Sequence, residues 1–98
     1  VSGSGPAYLY AFVEALQAAG VRAGLPADAA AQLAQSTIAG AASLMAMSEA
    51  GPAELREQVT SPGGTTEAAL KVLMGHRGLQ DLLNEAVAAA VQRSKELG

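Results

Sequence analysis

Two glycines and two threonines stand together in Thr60-Ser61-Pro62-Gly63-Gly64-Thr65-Thr66, and the helix-forming run Glu67-Ala68-Ala69-Leu70-Lys71-Val72-Leu73 follows at once. The paired glycines remove the Cβ barrier to left-handed backbone, so successive N–H groups can turn inward where a helix begins and its first amides lack partners. The amides of Gly63, Gly64 and Thr65 then form a cradle for a small anion, and the Ser61 hydroxyl is a further donor. A monocarboxylic acid fits such a site. A helix start in want of a cap also favours Gly and Thr here, so spacing alone leaves cap and cradle both standing. Pro62 fixes its own φ and biases Ser61 toward extended backbone.

The loop must be held by helices, because apolar residues recur at helical spacing throughout and no segment alternates as a half-buried strand does. Gly and Pro punctuation separates five helical segments: about Pro6 to Arg22, Pro26 to Met47, Pro52 to Gln58, Thr66 to Met74, and Leu79 to Leu97. Ser2 to Gly5 reads as a flexible entry, and Gly24 as the left-handed residue that stops the first helix. Tyr8, Leu9, Phe12, Val13, Leu16 and Val21 cover more than one face of that helix, which calls for burial on two sides. Tyr8 and Tyr10 are read as core or interface residues, and Met45 and Met47 as gap-fillers of a core. Gly40 costs about 1 kcal/mol of helix propensity against alanine, which suggests a close contact there.

The chain has 98 residues, half of them apolar, with only two tyrosines and one phenylalanine among the aromatics. One small domain is expected, near the size at which a single-chain core stabilises folding only marginally. A net charge of −3, with six basic residues dispersed along the chain, argues against nucleic acid as a partner. The absence of cysteine excludes disulfides and thiolate metal sites, and His76 has no companion ligand, so a solvent-exposed loop histidine and no metal are expected. The stretch from Ala29 to Ser48 lacks charge, but its Gln, Ser and Thr content and its alanines speak against a membrane span. No basic leader pattern is seen, and a cytoplasmic protein is the expectation.

Taken together, VSGSGPAYLYAFVEAL near the start, GVRAGLP after it, and PAELREQVTSPGGTTEAAL further on resemble the C-terminal domain of the pyrroline-5-carboxylate reductase family, in order from about Ser2 to Leu97. The resemblance implies an all-α, five-helix domain like the C-terminal domain of 6-phosphogluconate dehydrogenase, intertwined with a second copy as a two-fold homodimer. It also implies a preceding Rossmann domain, outside this chain and joined through Ser2-Gly3-Ser4-Gly5, that binds NADPH or NADH. The substrate would be a five-membered cyclic imine reduced to proline. Its carboxylate would lie on Ser61, Gly63, Gly64, Thr65 and Thr66, with the catalytic Thr66 hydroxyl beside the ring nitrogen. Glu49 falls where the family has an acid near the active-site entrance, though as a residue it reads equally well as a solvated acid before a Gly-Pro turn.

Two features depart from the family. Glu67 stands where relatives often have a small or aliphatic residue; its charge opposes a bound carboxylate, so it is expected to face solvent. Gly75-His76-Arg77-Gly78 replaces an acid-Gly-Gly pattern. Two other classes fit parts of the sequence. One is a non-catalytic helical oligomerisation module whose glycine loop is only a turn. The other is the helical domain of a different two-domain dehydrogenase, for which Lys71 and Lys95 are poorly placed.

Overall fold

The computed structural model describes residues 3–98 and folds them into five α-helices: α1 (Gly5–Arg22), α2 (Ala27–Met47), α3 (Pro52–Gln58), α4 (Thr65–Leu73) and α5 (Leu79–Leu97). No strand occurs among the described residues, and none of their helices is long and apolar enough to cross a membrane. Pro6 sits in the first turn of α1, where its missing N–H costs nothing, and the helix begins one residue earlier than expected, at Gly5. The flexible entry is therefore shorter than its sequence suggests. Gly3 and Ser4 form a turn, Ser4 Oγ donates to the Tyr8 hydroxyl at 2.9 Å, and Ser2 lies outside the described residues.

The chain divides into two compact units, Val1–Gly51 and Pro52–Gly98. In the first, α1 and α2 pack as a helical hairpin. Its turn is a Schellman motif: Leu25 N–H donates to the Gly20 carbonyl and Gly24 N–H to that of Val21, each at 3.0 Å, while Gly24 takes φ +116°. Both bonds satisfy carbonyls that α1 would otherwise leave without partners. Gly20 faces Ala30 so closely that a Cβ at position 20 would stand 3.2 Å from the Ala30 Cβ. The close approach buries Ala30 and Ala34, the only buried residues among those described.

The large apolar side chains are left outside. Leu33, Leu44, Val72 and Leu82 are exposed, and so are Met45 and Met47, which do not fill a core within this chain. Met47 is 82% exposed. Tyr10 is exposed as well, beside an open apolar hollow lined by Leu9, Val13 and Ile38. Nothing lies within 4 Å of a Cβ built on Gly40, so its flank is open to another molecule rather than to this chain.

The exposed area quantifies the deficit. The chain shows 7631 Å² to solvent. A compact monomer of the same mass would show about 5,100 Å², and even two separate compact bodies of about half that mass each would show about 6,200 Å² together.

In the second unit, no two helices make an extensive contact, and the links between them carry the local order. Gly75-His76-Arg77-Gly78 closes a turn in which Gly78 N–H donates to the Gly75 carbonyl at 3.0 Å and Arg77 adopts φ +59°. His76 is exposed. A Cβ on Gly75 would stand 2.6 Å from the Lys71 carbonyl oxygen, and one on Gly78 would collide with that of Leu73, so both glycines are needed for the reversal.

Arg77 is the one non-glycine with positive φ among the described residues. Arg77→Gly should therefore stabilise the protein by about 0.5–1 kcal/mol, the left-handed penalty less the extra chain entropy of glycine. Gly78→Ala should destabilise it. Thermal midpoints at matched protein concentration measure both effects.

Candidate functional site

The Ser61–Thr66 loop is fixed at both ends. On the α3 side, the Thr60 hydroxyl donates to the Arg56 carbonyl at 2.6 Å and Thr60 N–H to that of Glu57 at 3.1 Å, which satisfies carbonyls at the end of α3. Ser61-Pro62-Gly63-Gly64 then makes a β-turn closed by Gly64 N–H to the Ser61 carbonyl at 3.0 Å. Pro62 at its second position and Gly63 at its third, with φ +74°, follow the type II pattern. Gly64, with extended backbone, is the N-cap of α4.

Two of the amides expected to form the cradle are thus engaged within the chain. Gly64 N–H closes the turn, and Gly63 N–H donates to the Glu67 carboxylate at 3.0 Å. Glu67 is of intermediate exposure and its bond to Gly63 lies open to solvent, so the carboxylate stays on the solvent side of the helix start but is turned back on the loop. The cause is its place three residues after the N-cap, from which an acidic side chain reaches back to amides preceding the helix. The sequence carries the capping-box spacing, but with Gly in the place of Ser or Thr it is easily missed.

The first backbone bond of α4 runs from Ala68 N–H to the Gly64 carbonyl at 3.2 Å. The amides of Thr65, Thr66 and Glu67 precede it and point out of the helix start, which is where its dipole attracts an anion. No side chain caps α4 from the N-cap position, since that residue is glycine, so neither threonine hydroxyl is spent there. Thr65, Thr66 and Ser61 are all exposed. The amides left without a bond inside the chain are thus those of Thr65, Thr66 and Glu67, while Gly63 and Gly64 shape the turn.

The same construction recurs at α5. Arg77, with positive φ, precedes the N-cap Gly78, and Arg77 N–H donates to the Asp81 carboxylate at 2.8 Å. Asp81 stands to Gly78 as Glu67 stands to Gly64. Leu79 and Gln80 occupy the places of Thr65 and Thr66, so the second helix start has the amides and the acid without the two hydroxyls.

Glu49 lies in the first unit, exposed, just after the C-cap Ser48 of α2. Lys71 is in the last turn of α4, away from the loop end of that helix. Among the described residues no group of His, Asp and Glu is arranged to hold a metal ion.

Residues 1–97 match the family model described as pyrroline-5-carboxylate reductase dimerisation. The chain is 50% identical over 97 residues to a pyrroline-5-carboxylate reductase of Pisum sativum, an alignment that takes in 99% of this chain and 35% of the plant protein. Among solved structures, a pyrroline-5-carboxylate reductase from Coxiella burnetii superposes with a TM-score of 0.93 at 47% identity, covering 100% of this chain and 36% of that one. The Plasmodium falciparum pyrroline carboxylate reductase with NADP bound superposes at 0.92 with 36% identity, covering 100% and 38%. This chain spans about a third of the length of the relatives it matches.

Titration of the isotope-labelled protein with acetate should shift the amide resonances of Thr65, Thr66 and Glu67 first, with that of Gly64 moving least because its N–H stays in the turn. Equal shifts along the whole loop would return the cradle to the glycines.

Proposed function

Since the chain belongs to the pyrroline-5-carboxylate reductase dimerisation family, we propose that it is the part of such a reductase that holds the substrate while its imine is reduced to proline, and that it pairs with a second copy of itself. The observation that carries the substrate-binding half is the loop at the start of α4. Amides that no helical bond consumes stand there beside two uncommitted threonine hydroxyls, within a chain matched over nearly its whole length.

The substrate carboxylate is held by the amides of Thr65, Thr66 and Glu67, with the Ser61 hydroxyl as a further donor. The Thr66 hydroxyl donates to the ring nitrogen, or accepts from it once protonated. An aliphatic hydroxyl is a poor acid near neutrality, so Thr66 orients the imine and water supplies the proton. Gly63 and Gly64 act through the turn that aims the helix start. A cytoplasmic setting belongs to the same proposal.

Hydride chemistry is that of a nicotinamide cofactor, NADPH or NADH. The described residues offer no strand followed by a glycine-rich turn and helix, the unit that usually holds a dinucleotide pyrophosphate, so its binding is assigned to the remainder of a longer protein.

Pairing is supported by the exposed apolar faces of α1 and α2 and by a surface larger than two separate compact bodies would show. A self-complementary, two-fold association covers such faces on both copies at once. The open flank at Gly40 permits close approach of a partner helix. Light scattering should give about twice the chain mass of 9.7 kDa at micromolar concentration; a folded monomer would overturn the pairing.

In the intact protein, Thr66→Ala should lower kcat for pyrroline-5-carboxylate by about 1–3 kcal/mol in transition-state stabilisation, with a smaller change in KM. Unchanged constants would leave the loop a helix cap in an oligomerisation module.

A further inference from the structure

Glu67 places a negative charge against the amide that begins the anion loop, within a carboxylate–N–H bond of 3.0 Å to Gly63. We propose that Glu67 is a specificity-determining residue: its charge tunes the loop to a singly charged carboxylate and turns away doubly charged anions. The inference rests on the reading of the loop as the carboxylate site.

Three observations carry it. Glu67 is of intermediate exposure and its bond to Gly63 lies open to solvent, so its charge acts on a nearby anion at water-like screening. Its own N–H is one of the amides at the start of α4 that no helical bond consumes, so an anion held there meets donor and carboxylate on the same residue. Its side chain is tied back toward the loop rather than free to swing away as charge approaches.

Asp81 separates this role from simple capping, because it makes the same bond, to Arg77 N–H, at the start of α5. If the acid serves only to hold the turn, the two positions are equivalent and their neutral amide variants behave alike. If the charge of Glu67 acts on the bound anion, only its variant changes anion binding.

The test compares Glu67→Gln and Asp81→Asn in the intact protein at constant ionic strength. Glutamine keeps an oxygen for Gly63 N–H and removes the charge. With repulsion at water-like screening, E67Q should lower KM for the imino acid and the competitive inhibition constant of acetate by about threefold, and that of sulfate by about tenfold, because repulsion scales with anion charge. D81N should move none of these constants. Equal shifts for acetate and sulfate, equal effects of the two variants, or no change in E67Q would each overturn the proposal.

Titration of the Thr65 and Thr66 amide resonances with the two anions gives the same comparison without turnover. An intact wild-type protein that fails to reduce the imine refutes the functional reading, while the ratio of sulfate to acetate affinity still decides the role of Glu67.

Discussion

Everything in this chain depends on how little apolar surface it can bury by itself. The contact that brings α1 and α2 together is made by Gly20, Ala30 and Ala34, residues with almost no side chain to bury. Small residues let two helix backbones approach closely, but they remove little area from water, and hydrophobic stabilisation scales with that area. Leucines and methionines that would supply it stand outside the contact. In a helical chain of this size the missing core has to come from elsewhere, and the two-fold pairing proposed above would supply it from a second copy. Membership in a family defined by dimerisation agrees with that requirement.

The same economy shapes the loops of the second unit. With little packing between its helices to hold them, the chain uses local devices: a Thr60 hydroxyl on the end of α3, a Pro-Gly turn, and acids that reach back from the first turns of α4 and α5. These devices tie the helix starts to their own loops without consuming the first amides of α4. That combination is what an anion site requires, because preorganised donors cost no reordering when the ligand arrives. Of the two helix starts, only that of α4 adds hydroxyls at the two positions after the N-cap, which is why we propose substrate binding there and not at α5.

Helix order, the boundaries of α3 and α5 and the left-handed stop at Gly24 were legible in the residues, because punctuation by Gly and Pro acts locally and needs no partner. The position of the glycine loop at a helix start was legible for the same reason. The methionines at the end of α2 were misread: apolarity says that a side chain should be buried but not by which molecule. The bond from Gly63 N–H to Glu67 was not legible, because the charge of Glu67 was weighed against a ligand and not against the nearer amide.

By itself, the sequence determined the all-helical class, the loop's place and its chemical character, since these follow from propensity, periodicity and donors a few residues apart. Only the tertiary structure decided which amides remain available at that loop and which apolar faces remain open. Both are questions of what has already been satisfied: an N–H that closes a turn or meets a carboxylate is no longer a donor, and a leucine is core only where another surface reaches it.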